Sequence, residues 1–248
     1  MGCLTQTVTP NSYSRQEELI FRDCDAAGRL RPGTLLSLLA STAGHDYEAR
    51  GLGYRRLYEI RQVFLLSRVS LRIHRCPLSG EVVTVTTWEN GFRLSHVRRN
   101  YELTDESGAL CVSAKSDWVI VDPEGRKLIR PADFTGKELT VCPKEIDAPE
   151  CRKVVLPSGM TELGAHVVVY SDLDYNGHVY SGNYGDILWD VLPAELQNAA
   201  LREMQLNYSR EATLGDTMRL AGVREGNVLT AGALVDGEHC FSCRCVFA

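Results

Sequence analysis

Two helix-spaced apolar sets stand out among many runs of strand-like alternation. Leu35, Leu38, Leu39, Thr42 and Ala43 recur at i, i+3, i+4, i+7 and i+8, and so do Tyr184, Ile187, Leu188, Val191 and Leu192. Each set marks one face of an amphipathic helix. The first helix is predicted to start near Pro32, whose missing N–H suits a first turn, and to end near Arg50, where Gly51 and Gly53 follow. The second is predicted over about 181–189. Period-2 alternation and β-branched runs predict strands at 14–22, 63–74, 81–89, 94–104 and 109–121, then at 165–171, 201–209, 217–224, 228–235 and 240–247. Asp122-Pro-Glu-Gly125 is a turn signal closing the first series. One helix followed by turn-separated strands, twice over, predicts the α+β class, an antiparallel sheet with a helix on one face.

The two halves are also related residue by residue. Asp172-Leu-Asp174-Tyr-Asn176-Gly-His178-Val179 has a degenerate copy, Asp23-Cys-Asp25-Ala-Ala27-Gly-Arg29-Leu30, and the two helical sets follow at the same offset. Further on, Arg75-Cys76-Pro77-Leu78-Ser79-Gly80-Glu81 answers to Arg210-Glu211-Ala212-Thr213-Leu214-Gly215-Asp216. The chain reads as a duplicated module. The predicted organisation is an N-terminal module over 1–132, a Pro-rich and charged linker over 133–160 and a C-terminal module over 161–248. Modules this small bury a limited core alone, and joining the two sheets edge to edge would enlarge it and hide sheet edges.

Composition narrows the class without naming it. A formal charge of −5 over 248 residues argues against a general nucleic-acid or anionic-membrane surface. No apolar run approaches the roughly 18 residues of a membrane span, and the N-terminus lacks the charged-then-apolar order of a secretory signal. Nine cysteines, an odd number lying mostly in apolar or alternating segments, read as free thiols in a reducing compartment. Cys240, Cys243 and Cys245 cluster near the C-terminus with only His239 beside them, so no zinc site is expected and no metal ligand is assigned.

The duplication isolates the chemistry. A purely structural turn would need the same residues in both copies, yet Asn176 and His178 give way to Ala27 and Arg29 in the other. Asp174, Asn176 and His178 lie at i, i+2, i+4, which on an extended segment places all three on one side. The following helix would aim free N–H groups near Val179 to Gly182 at the same mouth, a place to hold an oxyanion. His178 can orient or polarise, Asn176 can hydrogen-bond a carbonyl or water, and Asp174 can fix His178 or the loop. The motif lacks a base for water. Glu211 is the candidate, because it replaces Cys76 at the other point where the copies differ in chemical kind. Trp88, Phe92 and Trp118 are candidates for lining a tunnel, although core is the commoner role for aromatic strand residues. Arg50, Arg55, Arg56 and Arg61 are either a docking patch for an acidic partner or a solvated loop.

Five stretches carry a resemblance: Phe64-Leu-Leu-Ser-Arg68, Gly80-Glu-Val-Val-Thr-Val-Thr-Thr-Trp88, Ser116-Asp-Trp118-Val-Ile-Val-Asp122, Ser171-Asp-Leu-Asp-Tyr-Asn-Gly-His-Val179 and Asn207-Tyr-Ser-Arg-Glu211. In these, and in their order, the chain resembles the plant and bacterial acyl-acyl carrier protein (acyl-ACP) thioesterases. The resemblance implies a double hotdog, two tandem modules each wrapping an antiparallel sheet on a central helix. It implies catalytic roles for Asp174, Asn176, His178 and Glu211, and an acyl pocket mainly in the first module. Val179, Tyr180 and Trp118 are assigned to substrate contact. Tyr180 and Ser181 depart from the family's usual two asparagines, and Ala212 stands where plant relatives carry a cysteine.

The expected activity is hydrolysis of acyl-ACP, with water activated by Glu211 and His178, the oxyanion held at the helix N-terminus, and no metal or redox cofactor. The expected partner is an acyl carrier protein bearing a fatty acyl-phosphopantetheine, with no nucleic acid and no membrane span; a homodimer stays open. The chain shows no transit segment, which suggests a bacterial cytoplasmic enzyme. Two alternatives remain, an acyl-CoA thioesterase and a non-catalytic acyl-binding module.

Overall fold

A computed structural model describes residues 3–248. The first half comprises β1 (Cys3–Val8), β2 (Tyr13–Glu18), α1 (Pro32–Ala49), α2 (Tyr54–Glu59), β3 (Val63–Ile73), β4 (Val82–Arg93), β5 (His96–Asp105), β6 (Leu110–Asp122) and β7 (Lys127–Ile129). The second comprises β8 (Thr161–Val167), α3 (Asn183–Val191), α4 (Ala194–Asn198), β9 (Leu201–Tyr208), β10 (Thr217–Glu225), β11 (Val228–Val235) and β12 (Glu238–Phe247). No helix among the described residues is long and apolar enough to cross a membrane.

All strands join one antiparallel sheet in the order β1-β2-β4-β5-β6-β3-β9-β12-β11-β10-β8, with β7 on β6. The halves meet where β3 pairs with β9, from Arg68 opposite Asn207 to Arg72 opposite Glu203. Each half thereby loses an open edge at the seam. Across it, Arg72 Nη2 donates to Glu203 Oε1 at 2.8 Å. The stretch between the halves lies along the sheet: Val154 N donates to Asn207 Oδ1 at 2.6 Å, and Ser70 Oγ to Pro149 O at 2.8 Å.

The helix-spaced residues fill the interior. Leu35, Leu38, Leu39 and Ala43 of α1 and Tyr184, Ile187 and Leu188 of α3 share one core with the inward residues of the sheet. The helix starts are pressed together at glycines. A Cβ on Gly185 would lie 2.8 Å from Gly33 N and 3.0 Å from Pro32 C. Asp186 of α3 uses that proximity, accepting a hydrogen bond from Gly33 N at 3.0 Å and so capping α1. Burial raises the Asp186 carboxyl, and Arg31 and the Gly33 N–H pull it back in part.

Candidate active site

The two motifs form the same turn. In the second half, Asp174 N donates to His178 O at 2.8 Å, and Asp174 Oδ1 accepts from the backbone N–H of Asn176 at 2.8 Å and of His178 at 3.3 Å. In the first, Asp25 N donates to Arg29 O at 2.8 Å, and Asp25 Oδ1 accepts from the N–H groups of Ala27 and Arg29, both at 2.9 Å. Gly28 and Gly177 have φ of +74° and +78°, a left-handed conformation that glycine adopts without steric cost. The segment is therefore a hydrogen-bonded turn and not the extended run inferred from alternate spacing. Asp174 holds that turn, as Asp25 does its copy, and what differs is the side chains the turn presents.

Those side chains lead to different partners. His178 Nε2 lies 3.4 Å from Glu211 Oε2. Backbone bridges from His178 to Thr213 and from Arg29 to Leu78 put Glu211 and Cys76 in equivalent places beside the two turns. Asn176 Oδ1 accepts a hydrogen bond from the Tyr54 hydroxyl at 2.7 Å, a contact between α2 of the first half and the second motif. Local spacing gave no sign of it, because α2 is six residues long and buries only Leu57.

The helix terminus is more selective than anticipated. Of the N–H groups from Val179 to Gly182, that of Val179 donates to Ala212 O at 2.9 Å and that of Tyr180 to Asp172 O at 2.8 Å. The N–H groups of Ser181 and Gly182 make no hydrogen bond among the described residues. Two donors thus remain at the start of α3. Tyr208 Oη donates to Ser181 O at 3.0 Å and steadies this segment from β9.

A cavity of about 1060 Å³ connects these groups to the first half. Asp174, Asn176, His178 and Glu211 line one end, with Val179 and Tyr180 beside them. Ala40, Ala43, Leu57, Phe64, Leu66 and Val97 supply apolar wall from the N-terminal half, together with Trp118. Trp118 Nε1 is held by Ser116 Oγ at 2.7 Å. Trp88 and Phe92 are not part of the wall. Trp88 is buried with Lys144 Nζ 5.0 Å from its ring centroid, and Phe92 is exposed. The arginine cluster is largely committed within the chain: Arg50 pairs with Asp46 at 2.8 Å, Arg56 with Glu59 at 3.2 Å and Arg61 with Asp122 at 2.9 Å.

The family models decide to which family the chain belongs. Residues 10–136 match the acyl-ACP thioesterase N-terminal domain and residues 160–232 the C-terminal domain. The chain belongs to the acyl-ACP thioesterase family. Among curated relatives, a chloroplastic acyl-[acyl-carrier-protein] hydrolase of Cuphea viscosissima is 28% identical over 197 residues, 72% of this chain and 47% of that protein. An oleoyl-acyl carrier protein thioesterase of Arabidopsis thaliana is 24% identical over 233 residues, covering 86% of this chain and 64% of its own length. The chain spans about half the length of the first of these relatives. Among solved acyl-ACP thioesterase family folds, an acyl-ACP thioesterase from Bacteroides thetaiotaomicron has a TM-score of 0.88 at 24% identity, covering 96% of this chain and 98% of that one. The 12:0-ACP thioesterase of Umbellularia californica has a TM-score of 0.77 at 16% identity, covering 98% and 99%. These structures share the fold, and the double hotdog architecture is consistent with them.

Proposed function

We propose that this chain is a thioester hydrolase that releases free fatty acid from an acyl chain carried on acyl carrier protein. The observation that carries the reading is the single cavity that runs from an apolar wall in the first half to Asp174, Asn176, His178 and Glu211 in the second. A mostly apolar cleft with a few convergent polar groups is the usual form of a small-molecule site. An acyl chain would lie along the wall and bring its thioester carbonyl to the polar end.

The chemistry follows from the side chains there. Glu211 and His178, 3.4 Å apart, together accept a proton from water as the water oxygen bonds to the thioester carbon. The carbonyl oxygen becomes an oxyanion, for which Asn176 and the N–H of Ser181, a cavity-lining residue whose N–H has no partner among the described residues, are donors. Collapse breaks the C–S bond. The abstracted proton passes to the departing thiolate, leaving a fatty acid and the carrier's free thiol. Asp174 acts through the turn: its carboxylate holds the backbone from which Asn176 and His178 project.

Side-by-side turnover of acyl-ACP and acyl-CoA of the same chain length by the purified protein tests the proposal. Faster hydrolysis of acyl-ACP is expected. Preference for acyl-CoA would move the carrier assignment, and binding of either without hydrolysis would make the chain an acyl-binding module.

A further inference from the structure

Tyr54 belongs to the first half of the chain, yet its hydroxyl ends 2.7 Å from Asn176 Oδ1, across 122 positions of sequence. Tyr54 and Asn176 both line the large cavity. The phenol is braced by two rings. Tyr175, from the motif itself, meets Tyr54 edge-on with centroids 6.0 Å apart, and Tyr58 lies 6.1 Å away on α2. Burial, Tyr58, Asp174 and Tyr175 all raise the Tyr54 phenol, so it keeps its proton near neutral pH.

The two ends of an asparagine amide do opposite work. The oxygen accepts hydrogen bonds and the NH2 group donates them, and the terminal torsion that exchanges the ends is soft and roughly two-fold. An amide free to turn would show its oxygen to the cavity part of the time. There it would repel a developing oxyanion instead of holding it. With Oδ1 engaged by Tyr54, the Nδ2 donor is the end left for a bound carbonyl. In the degenerate motif Ala27 stands in the place of Asn176, with no amide to orient.

We propose that Tyr54 is a positioning residue, which fixes the Asn176 amide so that its NH2 group faces the substrate oxygen. The inference rests on the reading of Asn176 as an oxyanion contact. It assigns to α2 of the first half a part in the chemistry of the second, besides its contribution to the cavity wall.

The test is a double-mutant cycle on acyl-ACP hydrolysis with Tyr54→Phe, Asn176→Ala and the pair, with melting temperatures recorded for each. Tyr54→Phe keeps the ring contacts and removes only the hydroxyl. It is expected to lower kcat about three- to tenfold, the scale of one net hydrogen bond, with KM within about twofold. In the Asn176→Ala background the same change should have no further effect, because the group it positions is gone. An equal loss in both backgrounds, or a loss confined to KM, would overturn the proposal by showing that the hydroxyl acts without Asn176. Full activity of Tyr54→Phe beside an inactive Asn176→Ala would reject the role of Tyr54 alone. Full activity of Asn176→Ala would reject the oxyanion role of Asn176, and the positioning role with it.

Discussion

Arg29 occupies in the first half the position that His178 occupies in the second, and the two side chains turn to opposite tasks. Each follows a glycine with positive φ, and each has its N–H held by the aspartate four residues before it. The Arg29 guanidinium pairs with Asp25 and donates to the carbonyls of Asn198 and Gln197 at 2.9 and 3.1 Å, at the end of α4. His178 instead faces Glu211. The duplicated backbone is retained, while one copy clamps the halves together and the other brings His178 within 3.4 Å of Glu211.

This divergence predicts a clean division of mutant effects. His178→Ala and Glu211→Gln are expected to lower kcat about a hundredfold or more, the scale of an acid–base group, with the melting temperature little changed. Arg29→Ala should do the reverse, lowering stability by about 1 to 2 kcal/mol through lost charge-assisted hydrogen bonds while turnover stays within a few-fold. Cys76→Ala, at the position equivalent to Glu211, should likewise retain turnover. Steady-state kinetics and thermal melts on the four purified variants decide it. A hundredfold loss in Arg29→Ala would assign the reaction to the wrong half.

Much of this was legible in the chain because the repeat compares each residue with its counterpart. The strands from 63 to 121, both core helices and the α+β class follow from periodicity alone, since burial on one face repeats at 2 or 3.6 residues. The edge strand β1 leaves no signal in the sequence, because all six of its residues are exposed and its pattern carries no inward face. α2 and α4 leave none either, because six- and five-residue helices with one buried residue each have no period to detect. Tyr54 escaped for a further reason: its contact with Asn176 depends on how two distant segments dock, which no local spacing encodes. The sequence marks the turn around Asp174 at its residues but not its geometry. Alternation suggested an extended run, but the left-handed Gly177 and the Asp174 carboxylate close it.

The helix starts offer a test of packing. Gly182 and Gly185 both leave no room for a methyl group, but against different neighbours. The nearest atom to a Cβ at Gly182 is the Ser37 hydroxyl, which can rotate, although Gly33 O also lies 3.1 Å away. At Gly185 it meets backbone, Gly33 N at 2.8 Å and Pro32 C at 3.0 Å, which can yield only if α1 and α3 separate. Gly185→Ala is therefore expected to destabilise by about 1 to 3 kcal/mol, the scale of core overpacking, and more than Gly182→Ala. Denaturant unfolding of the two variants checks the order, and equal losses would contradict the backbone origin of the cost.

Glu89 predicts a pH dependence of stability. It is 2% exposed, accepts from Tyr47 Oη at 2.6 Å and from Thr140 N at 2.8 Å, and pairs with Lys137 Nζ at 2.8 Å. Burial pushes its carboxyl up, but Arg99, Lys137 and Tyr47 outweigh burial and hold it below the ordinary 4.5. A carboxyl lowered on folding stabilises the folded state fully above its unfolded value. The unfolded chain takes up the proton first, so this contribution falls away as pH drops from about 4.5 through the lower folded value. Glu89→Gln should thus cost about 3 to 5 kcal/mol at pH 7, as for one partner removed from a buried ion pair. The gap from wild type should narrow below pH 4.5. A gap that stays constant down to pH 3 in urea titrations would show that the charge of Glu89 contributes nothing to stability.

If water is the nucleophile, no cysteine forms an acyl intermediate. The chain supports this in two ways. Among the described residues, none of those lining the large cavity is a cysteine, and burial raises the thiols of Cys24, Cys76, Cys111, Cys151 and Cys240, leaving them protonated and weakly nucleophilic. Ala212, wholly buried beside Glu211, offers no sulfur either. Cys76→Ser, Cys240→Ser and Cys243→Ser are expected to keep their turnover, with any losses following stability. Alkylation is a poor substitute for these variants, because a reagent forced onto a buried thiol inactivates by overpacking. The decisive measurement is an acid quench of the wild-type protein during turnover of acyl-labelled substrate, followed by mass spectrometry of the intact chain. An unmodified chain is the expected result. An acyl adduct on a cysteine, lost when that cysteine becomes serine, would replace direct hydrolysis with a covalent intermediate.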